Sequence, residues 1–538
     1  MRFVVNTWFA ERLADAGIHS RFLEDHHPVH MPCLEIRRLD WAQAAELARR
    51  LEMRLVAVWA AEAGLHDASP SGDLPLYAYM AYAHPEHRHA LLRTELNTDE
   101  PVVHSISPHF IAACRMERSM QDMFGIRVQG IPDDRAWLKH EHWPEEALPL
   151  KRDFNAVQPM PSDPARMGID YPYVQSASSG VHEIPVGPVH AGIIEPGHFR
   201  FLAVGEQVLN MEARLGYVHK GVERAMQGKS AENGVKLAGR TSGDCTVAHA
   251  WAFSQACEYA AQKPPPLRAS FIRGVLCERE RMANHIGDIG AICNDAAFGF
   301  MHAQMQRLRE DMARLHAAIF GHRLLMDLVI PGGVGRDIPA VERDALLAQT
   351  QDIAEEVERL RSIYADHPSI QERVIGSGVV STEDALDLGL LGYAGRASGN
   401  YPDERIEEAY PPYDGLQIRV AKGRMGDVAT RVWVRFEEIA DSARIIALLL
   451  EAMPEGAIAN PWKAPEAGLS GFAAIEGWRG EIAAWVRFGE GGLVDRYFVR
   501  DPSVINWLGL ELAVRGVPVP DFPLNNKSFN CSYAGNDL

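Results

Sequence analysis

The chain predicts an α+β protein in two parts: a small N-terminal α/β domain, and a larger, mainly helical domain edged by strands. Three observations carry this. Short helical and strand-like patterns alternate up to about residue 155, a Pro- and Ser-rich stretch follows, and long helical periodicities dominate from Ser230 onward. At 538 residues the chain is also too long for one hydrophobic core, so two or more domains are expected.

In chain order, Trp41 to Glu52 has helical spacing, while Leu55 to Ala60, Leu76 to Tyr82, His89 to Glu95 and Val102 to Ile106 read as short strands. These place the first domain at residues 1–155. From 156 to 180 the chain passes through Pro159, Pro161, Pro164, Pro172 and Ser176-Ala-Ser-Ser-Gly180, a composition suited to an extended linker. The second domain, 181–538, opens with strand character. It then presents a helix led by Thr246-Val-Ala-His249 that runs through Ala261 and is stopped by Pro264-Pro-Pro266, because proline has no amide to donate and clashes with the preceding turn. Leu267 to Ile292, Met301 to Val329 and Ala340 to Tyr364 predict three further long helices, together a bundle. Strand character returns at Arg431 to Glu437 and over Ile482 to Arg500, the latter with a turn at Gly489-Glu-Gly-Gly492.

Composition narrows the function. A net charge of −18, spread along the chain, argues against nucleic acid or anionic lipid as a direct partner. The seven cysteines are odd in number and scattered, with no C-x-x-C pair, so neither a disulfide framework nor a self-contained iron–sulfur or zinc site is expected, and the pattern suits the cytosol. Asn6, Glu11 and Arg12 break the first apolar run, so no signal peptide is expected. The most apolar segment, Ile445 to Met453, falls far short of the ~20 residues that cross a bilayer. Gly332-Gly-Val-Gly335 lacks dinucleotide spacing, and no P-loop, zinc-protease motif or G-x-S-x-G elbow occurs.

More specific are ordered motifs. The first domain carries Glu117-Arg-Ser-Met-Gln-Asp-Met-Phe-Gly-Ile126, Asp133-Asp-Arg135, and Trp143-Pro through Pro149-Leu-Lys-Arg-Asp-Phe154. The second carries Gly187-Pro-Val-His190, Glu195-Pro-Gly-His-Phe-Arg200, Arg214-Leu-Gly-Tyr-Val-His-Lys-Gly-Val-Glu223, Glu278-Arg-Glu-Arg-Met-Ala-Asn-His285 through Asp288, Pro331-Gly-Gly-Val-Gly335 and Arg396-Ala-Ser-Gly399. In this order they resemble the C and D subunits of respiratory complex I. Over nearly its whole length the chain resembles the fused large subunit of group 4 nickel–iron hydrogenases, the hydrogenase-4 and formate hydrogenlyase type. The resemblance implies a docking and scaffold role without a cofactor for the first domain.

That family holds nickel and iron with four thiolates from two C-x-x-C pairs, because soft sulfur ligands bind and bridge these metals. The step of four to His249 places the first pair at Ser242-Gly-Asp-Cys245, where only Cys245 is a thiol. The second pair falls on Ser532 and Gly535 of Asn530-Cys-Ser-Tyr-Ala-Gly535, with Cys531 one residue out of frame. Serine is a hard, protonated hydroxyl and glycine offers no ligand atom, so the metal site is degenerate and no ordinary nickel–iron centre is expected. The chain also ends three residues beyond Gly535, without the extension that metal-bearing members lose on maturation.

Other site residues follow from the same resemblance. Glu195 matches the glutamate that passes protons near the metals, and Arg479 of Glu476-Gly-Trp-Arg-Gly480 matches the arginine beside them, with Trp478 replacing a proline. A buried Glu near an Arg suits a proton relay; an ion pair is the alternative. His190 matches the histidine with which complex I binds a quinone headgroup, and His249 lies in the same pocket; both are candidate substrate-binding residues. Leu237-Ala-Gly-Arg-Thr-Ser-Gly243 lacks the quinone site's tyrosine, which puts ordinary quinone chemistry in doubt. His26-His-Pro-Val-His30 and His84-Pro-Glu-His-Arg-His89 have metal-ligand spacing, but their polar, turn-like context predicts solvent-exposed loops.

The resemblance implies an oxidoreductase subunit on the cytoplasmic side of the inner membrane, peripheral within a complex. Its partners would be a small iron–sulfur subunit and membrane-embedded ion-translocating subunits, and any use of NAD would belong to the whole complex. An active hydrogenase with unusual ligands and a non-catalytic coupling or scaffold subunit are the alternatives.

Overall fold

A computed structural model describes residues 7–23, 31, 33–64, 75–84, 89–140, 143–157, 171–190 and 194–538. The N-terminal part is built on a five-stranded sheet with strand order Ser20–Phe22, Cys33–Ile36, Ala90–Leu96, Leu76–Ala83, Arg54–Glu62. Its pairs are antiparallel except Cys33–Ile36 beside Ala90–Leu96. Arg54–Glu62 and Leu76–Ala83 are buried almost throughout, which is why neither alternates polar with apolar residues. The helix Ala113–Phe124 packs on the sheet, and Glu117 accepts hydrogen bonds from Ser105 Oγ (2.7 Å) and Ile106 N (2.7 Å), tying the first motif to the preceding loop.

The second part contains the long helices Thr246–Ala260, Leu267–Asp295, Gly299–Phe320, Ala340–Ala365 and Val428–Glu451, with a three-stranded sheet at either end of this series: His182–Val186, His198–Val204 and Gln207–Arg214 before it, Ser470–Gly477, Gly480–Phe488 and Val494–Arg500 after it. Leu267–Asp295 is buried along most of its length and packs against Gly299–Phe320 and Val428–Glu451. Among the described residues no helix is long and apolar enough to cross a membrane.

The two parts share one core. Trp59 stacks on Phe498 with ring centroids 4.6 Å apart and on Tyr79 at 5.2 Å, so the N-terminal sheet packs against the C-terminal sheet through aromatic rings. Charged groups cross the same seam: Arg54 bonds Glu481 at 2.6 Å, Arg152 bonds Asp495 at 2.5 Å and Arg115 bonds Glu511 at 2.8 Å. Of the expected linker, residues 171–180 are described and run without helix or strand, while 158–170 lie outside the described residues. Tyr171 anchors that segment: Arg118 donates to its hydroxyl (2.7 Å), and the Arg214 guanidinium sits 4.4 Å over its ring.

Two expected elements differ. Arg431 to Glu437 is helix, part of Val428–Glu451, started by the Asp427 carboxylate accepting from Thr430 N at 2.8 Å. The alternation Arg-Val-Trp-Val-Arg-Phe-Glu suggested a half-buried strand, but Arg431 and Arg435 are themselves buried, one turn apart, over the rings of Phe529 and Tyr393. The helix expected over Met301 to Val329 stops at Phe320, where Gly321 takes the left-handed conformation (φ 78°) that ends helices. The strand Ser470–Gly477 had no counterpart in the sequence reading; it is wholly buried and rich in small residues.

Candidate functional site: the Ser242–Ser532 pocket

The pocket lies where three chain segments meet: the N-terminus of Thr246–Ala260, the tight turn between Ser470–Gly477 and Gly480–Phe488, and residues 530–538. The turn is held by a close backbone approach. A Cβ on Gly392 would lie 2.2 Å from Arg479 O, and one on Gly480 2.7 Å from Gly392 N, so both positions require glycine. The motif Arg214 to Glu223 fixes the terminal segment: Lys220 N donates to Leu538 O (2.8 Å) and Val218 N to the Asp537 carboxylate (3.1 Å).

Inside, Ser242 Oγ donates to Asp244 Oδ1 at 2.8 Å and lies 2.8 Å from Ser532 Oγ. Because Ser242 spends its one proton on Asp244, Ser532 donates to Ser242; Ser532 Oγ in turn caps Tyr533–Asp537 by accepting from Gly535 N at 2.9 Å. Asp244 is clamped by both Arg479 terminal nitrogens (2.7 and 2.6 Å), while Arg479 Nε donates to Asn530 O (2.7 Å). Burial opposes its ionisation, but the Arg479 guanidinium and the Ser242 hydroxyl hold the Asp244 carboxyl down to about 2. The hydroxyl chain thus ends in a carboxylate too weakly basic to take a proton at neutral pH.

Cys245 is fully buried, and burial, reinforced by Glu280 and Asp501, pushes its thiol well above the ordinary range. Gly535 has no room for a ligand: a Cβ there would sit 2.6 Å from Asp501 Cγ. Asp501 accepts from His249 Nε2 at 2.9 Å, both side chains fully buried, and among the described residues His249 Nδ1 has no hydrogen-bond partner. The four positions expected from the resemblance to hold metal present one buried thiol, two mutually bonded hydroxyls and a backbone packed on a carboxylate, a donor set that does not fit nickel and iron.

The comparisons agree with this architecture. The family model "Respiratory-chain NADH dehydrogenase, 49 Kd subunit" matches residues 295–469, the corresponding 30 Kd subunit matches 34–159, and "Nickel-dependent hydrogenase" matches 220–287. Hydrogenase-4 component G of Escherichia coli K12 is 29% identical over 477 residues, 88% of this chain and 82% of that protein. Formate hydrogenlyase subunit 5 of the same organism is 30% identical over 450 residues, 83% of this chain and 79% of that protein. The chain belongs to the family of complex I C/D subunits and nickel–iron hydrogenase large subunits. A further relative, the alpha subunit of the membrane-bound hydrogenase of Pyrococcus furiosus, is 28% identical over 359 residues, 63% of this chain and 83% of that protein.

In this large subunit the motifs quoted from the sequence form a buried ionic framework. Glu278 accepts from Arg281 Nε (3.1 Å), Arg405 Nη1 (3.1 Å), Tyr413 (2.7 Å) and Ser442 (2.6 Å). Arg396 pairs with Glu438 at 2.7 Å, which also bonds His285 at 2.7 Å. Asp288 accepts from Asn530 Nδ2 (2.8 Å) and joins the framework to the pocket.

The sequence-derived residues are not all together. Cys245, Ser242, Ser532, Gly535, His249 and Arg479 line the pocket. Glu195 is exposed, not buried, and its Oε2 accepts from Ala534 N (3.1 Å) at the start of Tyr533–Asp537; Arg479 is engaged by Asp244 instead. His190 is half-buried and spends Nε2 on Gly197 O at 2.7 Å, its ring 5.6 Å from Phe199, which contacts Tyr533. Of the histidine clusters, His26, His27, His30 and His87 lie outside the described residues. His89, expected in a solvent-exposed loop, is 7% exposed, because the seam between the two sheets closes over it.

The sequence reading missed Asp244, Asp501 and Glu280. Asp244 lay inside the quoted Ser242 to Cys245 motif and Glu280 inside the Glu278 to His285 motif, whereas nothing in the local pattern marks Asp501. Glu280 is 6% exposed and accepts from Val247 N (2.8 Å) and Ala248 N (3.3 Å); burial pushes its carboxyl up to about 8.

Proposed function

We propose that this chain is the large peripheral subunit of a membrane-associated, complex I-like oxidoreductase of the hydrogenase-4 type, working without a nickel–iron centre. The supporting observation is the Ser242 to Ser532 hydrogen bond at 2.8 Å, which joins two positions where the family has metal thiolates. In this reading a small iron–sulfur partner carries the electrons and membrane-embedded partners move the ions. The subunit lies on the cytoplasmic face of the inner membrane, with residues 1–155 as scaffold, 156–180 as linker and 181–538 carrying the altered site. Glu195, at the rim, is the group in contact with solvent protons. Arg479 fixes Asp244 and the terminal segment, while His190 and His249 are the candidate substrate-binding residues. The Pyrococcus furiosus relative is by name a membrane-bound hydrogenase, which supports an assembly held at a membrane.

A non-catalytic coupling role is the second reading, favoured by the hydroxyl chain ending in an Asp244 that stays ionised. The test is metal analysis of the intact complex, purified through a tag on this subunit, together with hydrogen uptake. Iron attributable to the small partner, without nickel, is the expected result. Stoichiometric nickel with hydrogen uptake would sink the proposal.

A further inference from the structure

Away from the pocket, a second buried cluster sits in the seam between the N-terminal and C-terminal sheets. His89 precedes the strand Ala90–Leu96, Glu404 opens the short helix Glu404–Glu407, and Glu481 lies on Gly480–Phe488. One ligand atom from each lies within 4.8 Å of the others, and His89 Nε2 is 3.6 Å from Glu404 Oε1. The side chains of His89, Glu404 and Glu481 are 8%, 0% and 2% exposed. Among the described residues the buried His89 Nε2 has no hydrogen-bond partner. Buried polar atoms are rarely left so, since each unmade bond costs roughly 1–3 kcal/mol.

We propose that His89, Glu404 and Glu481 bind a divalent transition-metal ion of the zinc class, which staples the two sheets across the seam. One imidazole nitrogen and two carboxylates are a zinc donor set, with a fourth position for water. Tetrahedral bonds of about 2.0–2.1 Å place ligand atoms about 3.3 Å apart, so the cluster needs only a small contraction. His89 Nε2 offers the ion a ligand atom that makes no hydrogen bond, and the two carboxylates are already held in place by arginine bonds. Those bonds are from Arg54 Nη2 to Glu404 (2.9 Å), Glu407 (3.1 Å) and Glu481 (2.6 Å), together with the Arg500 to Glu481 pair. Glu407 and the neighbouring Glu408, 19% and 25% exposed, provide an anionic approach.

Two guanidiniums, Arg54 and Arg500, stand beside the site, but four carboxylates face them: Glu404, Glu407, Glu408 and Glu481. Glu476 adds a fifth behind Glu404, accepting from its backbone N at 3.2 Å. An added dication therefore meets a surround richer in acids than in arginines.

The test is calorimetric titration of the full chain, stripped with chelator, with zinc chloride between about pH 6 and 7.5. One tight site per chain and no comparable binding of magnesium are expected. His89→Gln and Glu404→Gln each weaken binding at least ~10-fold, whereas His26→Ala leaves it unchanged. Binding that survives both seam substitutions, or magnesium held as tightly as zinc, overturns the proposal. Should the variants fail to fold, the wild-type stoichiometry and the magnesium comparison decide alone.

Discussion

The Ser242–Ser532 pocket and the seam at His89 are both buried and polar, yet they are built from opposite kinds of group. Around Ser242 and Ser532 small neutral hydroxyls complete one another and end on the Arg479-bound Asp244. At the seam, full charges crowd together across two sheets. The comparison teaches that neutral hydroxyls can complete one another at close range, whereas crowded charges rely on counter-ions; each region keeps one histidine nitrogen without a partner among the described residues, His249 Nδ1 in the pocket and His89 Nε2 at the seam.

The sharpest way to break this contrast is Asp501→Ala. It strips His249 of its partner in a fully buried pair and costs ~3–5 kcal/mol in denaturant unfolding; a loss under about 1 kcal/mol would mean that the pocket is loosely held. Next is Glu280, the pocket's one carboxyl poised near neutrality. Its folded-state value is raised, so its contribution is present below the ordinary glutamate range and is lost as pH rises toward about 8. The wild type should lose ~1.4 kcal/mol per pH unit in that window relative to Glu280→Gln, and equal slopes for the two proteins would refute the assignment. Smallest is Gly535→Cys, which drives its Cβ into Asp501. It should destabilise by ~1–3 kcal/mol, and a neutral thermal melt would show that the terminal segment can shift to admit a side chain.

Long periodic elements were legible in the chain. The stop at Pro264-Pro-Pro266 and the helix from Leu267 appear where the pattern placed them, because a 3.6-residue period and proline's missing amide act locally. Arg431 to Glu437 was misread because its polar residues are buried, which reverses the meaning of alternation. His89 was misread for a related reason: its loop context is polar, but a distant part of the chain covers it.

The sequence alone determined the donor atoms that Ser242, Cys245, Ser532 and Gly535 can offer, since donor chemistry belongs to residue type. It also carried the family, through motifs in order. Only the tertiary structure decided what those atoms do. Ser242 meets Ser532 across 290 residues and Gly535 meets Asp501, and burial and hydrogen-bond partners are set by segments that come together only when the chain folds.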